Sequence, residues 1–392
     1  MSRIIRMVSM RQNLSQQLNP LNIFPFFMKQ TRAERMALNF DGIDALVIAN
    51  ASEPFLDSTY WYLTGCTSGT FESARAVVTE SGELHTFVSI LEEESAKEGE
   101  GIVHVYHKDD ERKEAMKEVL KGCGRIGVNY GSAAYGSVMW MKSFLDDDVQ
   151  FVDASKTIAE TVAVKDEKEI ASISKACAIT SKVAQDLPDI ISEGCSEREI
   201  ASEMDIRMLR LGGSGVAFDT IAAFGAYSSQ PHHMPCDYRL KKGDTALFDF
   251  GSKYEMYCAD LTRTIFLGDP DDRLKRAYDV VKRAQEAGLA QIRDGASAES
   301  VDAAARELID STEFKGLFIH SFGHGIGMDI HQPIYVSPRS KNILKAGNVI
   351  SAEPGIYIPG LGGIRIEDTV LVTEDGYRLL TEYDHEMTVV DQ

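Results

Sequence analysis

Four carboxylates and one histidine in the C-terminal part of this 392-residue sequence have the types and spacing of a metal cage. Asp249, in Thr245-Ala-Leu-Phe-Asp-Phe-Gly251, and Asp260, in Met256-Tyr-Cys-Ala-Asp-Leu-Thr-Arg-Thr-Ile-Phe266, sit on two strand-like runs separated by a short polar stretch. Such a pair of runs reads as a hairpin. With its turn centred midway between Phe250 and Ala259, the two aspartates face each other across the ladder, where partner Cβ atoms stand about 4.5–5.5 Å apart. Carboxylates that close repel each other unless a pKa rises or a cation lies between them. Glu353 and Glu367 repeat the arrangement: their runs flank Pro359-Gly-Leu-Gly-Gly363, a glycine-rich turn signal, and both are equidistant from Gly360. Arg365, two residues before Glu367, points to the same face. Between the hairpins, the glycines of His320-Ser-Phe-Gly-His-Gly-Ile-Gly-Met-Asp-Ile-His331 leave room for the His324 imidazole to approach something bulky or charged. Four carboxylates and one neutral imidazole carry about −4, a charge that two divalent cations neutralise and one does not.

These residues need rigid elements to position them. The C-terminal part, 167–392, shows apolar residues at helical spacing from Glu167, with the helix expected to end at Gly194. Ser196-Glu-Arg-Glu199 then supplies a capping box for a second helix. Two more helical stretches run from about Asp272 to Arg293 and from Ala298 to Ser311, with β segments between and after them. Upstream, in 28–153, helix-like stretches alternate with short β-rich runs such as Ile43-Asp-Ala-Leu-Val-Ile48 and Ile102-Val-His-Val-Tyr106. That alternation predicts an α/β domain with a mixed sheet. Its histidines His85, His104 and His107 have no carboxylates at ligand spacing around them and read as structural. Between the domains, 154–166 loses periodicity and gathers charge, as an inter-domain connection does. The first 27 residues, proline-broken and without a small-residue cleavage site, do not read as a signal peptide and form an extension outside the fold.

Composition narrows the class. Lys plus Arg number 41 against 60 for Asp plus Glu, and the net charge of −19 repels phosphate backbones and anionic membrane surfaces, so no nucleic acid or membrane partner is expected. The 6 cysteines are scattered and form no Cys-x-x-Cys pair, which fits a reducing, cytoplasmic setting. No apolar run reaches the roughly 18 residues of a membrane span.

The string Asp249 (LFDFG), Asp260 (ADLTRT), His324 (FGHGIGMDIH), Glu353 (SAEPGIY) and Glu367 (RIEDTV) resembles, in order and motif, the full ligand set of the pita-bread metallopeptidases. These comprise Xaa-Pro dipeptidases (prolidases), aminopeptidase P and methionine aminopeptidases, and the resemblance runs from about Met28 to the C-terminus. It implies an α+β pita-bread (creatinase/aminopeptidase) C-terminal domain behind the N-terminal α/β domain, and a homodimer. It further implies that Asp249 holds one metal, His324 and Glu353 the other, and Asp260 and Glu367 both. His232, three residues before a proline, matches a substrate-contacting histidine, with the adjacent His233 as a competitor for that role. His331 and His320, seven residues after and four before His324, match two further family histidines. Arg365 matches an arginine that supports the site. The segment before His232 departs from the family, with Tyr-Ser-Ser where many members carry Asn-Ala-Ala. By this resemblance Glu353 shuttles the proton, while His232 and His331 donate hydrogen bonds to substrate. Oxygen-rich ligands with one imidazole suit Mn²⁺ or Co²⁺, with Zn²⁺ and Fe²⁺ as alternatives.

Other motifs fall away. Asp249-Phe-Gly251 spells a kinase triplet without a His-Arg-Asp loop, and neither Gly212-Gly-Ser-Gly215 nor Gly323-His-Gly-Ile-Gly327 completes a phosphate or dinucleotide loop. The large N-terminal domain argues against a methionine aminopeptidase, and creatine amidinohydrolase lacks the five ligands. The expectation is hydrolysis, dependent on two divalent metal ions, of the bond preceding proline in short peptides, as an Xaa-Pro dipeptidase. Aminopeptidase P is the near alternative, and a non-catalytic pita-bread binding module, whose ligands would have decayed, is the alternative of a different class.

Overall fold

Alternating apolar and polar positions in the computed structural model, which describes residues 30–391, decide which faces of each sheet are covered. The chain divides into two units, the first ending at Thr161 and the second beginning at Val162. The N-terminal extension expected over 1–27 lies outside the described residues.

In the first unit β1 (Ala45–Ala49), β2 (Arg75–Thr79), β3 (Leu84–Ser89), β4 (Ile102–Tyr106), β5 (Arg125–Val128) and β6 (Gln150–Asp153) form one sheet in the order 4-3-2-1-5-6. It is mixed: β1 pairs antiparallel with β2 and parallel with β5. Val47, Val77, Phe87 and Ile126 on one face pack with Met116 and Met141 from the covering helices. His104 stacks on both His85 and Phe87, a structural setting. Over 154–166, where periodicity was expected to lapse, a helix, Ser155–Ala163, occupies most of the stretch, and the division between the two units falls within it. Its charged residues alternate with apolar ones that are buried, Ile158 and Val162, so an amphipathic face was present under the charge.

The second unit has two comparable halves. In one, the helices Glu167–Ile190 and Glu197–Arg210 bury Val183, Leu187, Met204 and Met208 against Phe224, Phe248 and Phe250. These belong to a four-stranded sheet of β8 (Ile221–Phe224), β9 (Thr245–Phe250), β12 (Leu261–Leu267) and β20 (Thr388–Val390), ordered 20-12-9-8. Beside it lies a small sheet of β7 (Gly215–Val216), β10 (Ser252–Tyr254) and β11 (Tyr257–Cys258). In the other half, Asp272–Leu289 and Ala298–Asp310 bury Val281, Ala284, Val301 and Ile309 together with Ile350, Ile364, Ile366 and Val370. Its sheet, ordered 14-13-15-18-19, comprises β13 (Gly323–Gly325), β14 (Gln332–Val336), β15 (Val349–Ala352), β18 (Asp368–Val372) and β19 (Tyr377–Leu379). A two-stranded ribbon of β16 (Gly355–Ile358) and β17 (Gly362–Arg365) continues the same hairpin.

The capping box forms as its sequence predicts: Ser196 Oγ accepts from the Glu199 amide, and the Glu199 carboxylate accepts from the Ser196 amide. The preceding helix stops at Ile190 rather than Gly194, after an internal Pro188 that cannot donate to the helix ladder. Gly194 instead sits at φ +86° in the turn that follows.

Candidate metal centre

Period-two alternation aims the carboxylates. Phe248 and Phe250 enter the helix-covered core, so Asp249 between them points to the opposite face; likewise Ile364 and Ile366 are core residues, and Arg365 and Glu367 point away from it.

The two hairpins obey different turns. Glu353 and Glu367 lie between the partners Ala352↔Asp368 and Gly355↔Arg365, in the one register centred on Gly360, at φ +77°. Asp249, by contrast, faces Thr262 and not Asp260. The turn is the two-residue Glu255-Met256, both at positive φ (47° and 72°), between Tyr254 and its partner Tyr257. That places the centre one residue beyond the midpoint expected from the polar stretch. Positive φ at both turn residues matches the twist of the strands, a requirement usually met by Asn-Gly. No glycine marks this turn, so spacing alone misplaced it. Asp260 then precedes Thr262 by two residues, on the same side of the strand.

The second unit holds a cavity of about 450 Å³, lined by Asp249, Asp260, His324, Glu353 and Glu367 together with His232, His320, His331 and Arg365. All nine residues singled out in the sequence therefore meet in one place. His233 is not among them; it is buried and bonded to Glu197 at 2.7 Å. The glycines around His324 serve backbone approach more than imbedding the ring: a Cβ on Gly323 would stand 2.1 Å from the Ser351 carbonyl oxygen.

Hydrogen bonds fix the histidine tautomers. His324 Nδ1 lies 3.2 Å from the Gly325 carbonyl, which can only accept, so Nδ1 carries the proton. Burial also pushes the ring toward its neutral form. The bare Nε2 lone pair then faces Glu353 Oε1 at 3.3 Å and Asp260 Oδ2 at 3.5 Å. Three acceptors turned toward one another suit a cation or a shared proton. Ligand atoms of Asp260, His324 and Glu367 all lie within 4.8 Å of one another, and Asp249 Oδ1 and Glu367 Oε1 are buried without a hydrogen-bond partner.

Electrostatics agree. Burial, then the neighbouring Glu367 and Asp249 carboxylates, raises the Asp260 pKa well above the usual carboxylate range. Burial followed by Glu353 and Asp249 does the same to Glu367, and burial lifts Glu353 to about 7. Arg365 is the one lysine or arginine on the cavity wall among the described residues, so a single guanidinium stands against four carboxylates. Divalent cations fit this donor set.

Arg365 is itself fully engaged. It is 3% exposed and donates to Asp249 Oδ2 (2.5 Å), Thr262 Oγ1 (2.9 Å) and the Tyr357 hydroxyl (2.9 Å). Thr262 Oγ1 in turn donates a hydrogen bond to Glu367 Oε2 at 2.5 Å. His320 Nδ1 donates to the Ser321 carbonyl at 2.8 Å, so its Nε2 accepts from Tyr357 at 2.7 Å. Burial and then Arg365 lower His320 to about 3, keeping it neutral. Thr262 and Tyr357 escaped the sequence reading. Thr262 was legible as the same-face neighbour of Asp260. Tyr357 was not, because its hydroxyl reaches Arg365 by lying over Gly355, where a Cβ would meet that oxygen at 2.6 Å.

A second grouping among the described residues brings ligand atoms of Glu197, His233 and Cys236 together. Glu197 there already accepts from the Phe224 and Cys236 amides and from His233, so the cluster is satisfied without an ion.

A two-unit α/β and α+β chain with a buried acidic cage of this kind defines a metal-dependent hydrolase. The model of metallopeptidase family M24 matches residues 171–374, and the chain belongs to that family. It is 37% identical to an Xaa-Pro dipeptidase of Pyrococcus furiosus, over 79% of this chain and 88% of that one. Among solved structures, an Xaa-Pro dipeptidase from Bacillus anthracis superposes with a TM-score of 0.85 at 29% identity, covering 92% of this chain and 99% of that one. An X-Pro aminopeptidase from Thermotoga maritima gives 0.83 at 30% identity, covering 90% and 99%. The chain is a peptidase of this metal-dependent family, with divalent ions as its cofactor.

Proposed function

We propose that the protein hydrolyses the peptide bond preceding proline in Xaa-Pro dipeptides, using two divalent cations, Mn²⁺ or Co²⁺ in preference to Zn²⁺ or Fe²⁺. The observation that carries this reading is the His324 Nε2 lone pair facing Asp260 and Glu353 inside a cage of five ligands. The similar Xaa-Pro dipeptidases supply the substrate class. In the proposed ligation Asp249 would hold one ion, His324 and Glu353 the other, and Asp260 and Glu367 both.

When bound, the two ions would polarise the scissile carbonyl and acidify the attacking water. The chain's own residues do the rest. Glu353, on the cavity wall, is placed to accept a proton from water at a carboxylate oxygen and to return it to the leaving nitrogen. Ser351 Oγ donates to Glu353 Oε1 at 3.1 Å and orients it. His232 and His331, exposed on the cavity wall, are placed to donate to the carbonyl oxygen or to the substrate backbone. Arg365 is occupied by the site itself, which leaves His331 as the candidate for the free carboxylate one residue beyond the cut.

A proline amide has no N–H, so recognition by β-pairing at that residue is unavailable and a shaped pocket must replace it. Phe218, Ile221 and Pro231 supply apolar wall for a pyrrolidine ring. Aminopeptidase P activity is the second reading, favoured by the likeness to the Thermotoga maritima enzyme. The cytoplasmic location and the homodimer remain part of the proposal; the first rests on six free cysteines, the second on the family resemblance. No helix among the described residues is long and apolar enough to cross a membrane. Incubating metal-loaded protein with an Xaa-Pro dipeptide and an Xaa-Pro-Xaa tripeptide side by side tests the proposal.

A further inference from the structure

His232 lies on the cavity wall, yet among the described residues no hydrogen bond holds its ring. Its direction must come from its backbone. That backbone is the tip of a tight turn, Gln230-Pro231-His232-His233, closed by the His233 amide donating to the Gln230 carbonyl at 3.1 Å. Proline in the second position presets such a turn, but nothing in the turn itself fixes how it sits over the cavity.

The neighbouring side chain does. His233 points the other way and is 8% exposed, and its Nε2 meets Glu197 Oε2 at 2.7 Å. Glu197 is completely buried and opens the helix Glu197–Arg210, where a carboxylate is favoured by the helix dipole. The same Oε2 accepts from the Cys236 amide at 2.9 Å, and Oε1 accepts from the Phe224 amide, at the end of β8, at 2.8 Å. One carboxylate thus ties a helix start, a sheet strand and both ends of the segment 233–236. The His233 ring also stacks on Tyr227, with centroids 4.8 Å apart and planes 22° from parallel.

Resting on the reading of His232 as a substrate-contacting donor, we propose that Glu197 and His233 are positioning residues that act through His232, the buried Glu197–His233 hydrogen bond setting where the His232 ring stands in the cavity. Neither touches the cage. Their contribution is geometric: a donor displaced by about 1 Å from its acceptor can cost up to 10²-fold in rate.

The bond and the ring stacking can be separated. His233→Phe keeps a ring against Tyr227 and removes the donor; His233→Gln loses the ring and keeps an N–H near the position of Nε2. Both are made in the native sequence and in a His232→Ala background, and kcat, KM and metal content are measured on metal-loaded protein. With His233→Phe, kcat should fall about tenfold, KM should stay within about twofold and metal content should not change, while His233→Gln should recover most of the loss. In the His232→Ala background, His233→Phe should change kcat by less than about twofold, because the residue through which it acts is gone. Glu197→Asp, which withdraws the carboxylate by one methylene, gives the same comparison should His233→Phe not fold. An equal loss in both backgrounds, a loss of metal, a glutamine variant as impaired as the phenylalanine one, or no loss with His233→Phe would each overturn the proposal. If His232→Ala alone left kcat unchanged, the role assigned to His232 would fail first and the inference with it.

Discussion

Arg365 Nη2 donates to Asp249 Oδ2 at 2.5 Å, inside a site where the guanidinium is almost wholly shielded from solvent. A guanidinium on this wall can serve two ends, reading a substrate carboxylate or holding the cage. Its donors to Asp249, Thr262 and Tyr357 support the second. A planar fork whose three nitrogens donate to three separate acceptors is not replaced by a lysine ammonium.

Arg365→Lys should therefore weaken metal binding and lower kcat together, while shifting the ratio of kcat/KM for dipeptide over tripeptide by less than about twofold. A selective rise in KM for the dipeptide alone, measured by steady-state kinetics, would return Arg365 to substrate recognition.

The bridging assignments give a second expectation. Asp260→Ala or Glu367→Ala should lose metal and leave the remaining carboxylates unpaired. Elemental analysis is the readout, and two ions per chain retained in Asp260→Ala would contradict the assignment.

Proton linkage gives a third. Glu353 is raised to about 7 by burial, and burial with neighbouring carboxylates raises Asp260 and Glu367 well above the usual carboxylate range. Below about 7 Glu353 holds a proton that a cation must displace, and the raised Asp260 and Glu367 act in the same direction, so metal affinity should rise as pH increases through that region. His324 does not oppose this trend, since burial already keeps it neutral. Calorimetric titration with Mn²⁺ at pH 6 in buffers of differing ionisation enthalpy should show net proton release. Binding without proton release would contradict the raised pKa values.

The histidines divide by their surroundings. His232→Ala and His331→Ala should keep both metals and lose roughly 10²-fold or more in kcat, as when a donor aimed at developing charge is removed. His233→Ala should lose clearly less. A larger loss for His233 than for His232 would transfer the role to the buried neighbour.

Much of this site was visible before any coordinates. Glu353 and Glu367 could be paired because Gly360 marks the turn centre, and the capping box at Ser196 marked its helix start. Asp249 and Asp260 were correctly grouped but given the wrong register, since Glu255 and Met256 carry a turn that favours glycine or asparagine. The helix Ser155–Ala163 was hidden because its exposed charges masked a narrow buried stripe. Tyr357 and the Glu197–His233 bond depend on long-range packing and leave no local pattern. Side-chain periodicity reports faces, whereas turn chemistry without glycine and contacts between distant segments do not write themselves into spacing.

The central claim is metal-dependent cleavage before proline, and one assay addresses it directly. Protein stripped with a strong chelator, then reloaded with Mn²⁺ or Co²⁺, is given an Xaa-Pro dipeptide and an Xaa-Pro-Xaa tripeptide. The account predicts no activity after stripping and recovery on reloading, with the dipeptide cleaved at least about tenfold better by kcat/KM, a gap of about 1.4 kcal/mol. Preference for the tripeptide would make the enzyme an aminopeptidase with the same cage, whereas full activity in the metal-free protein would contradict the account at its base.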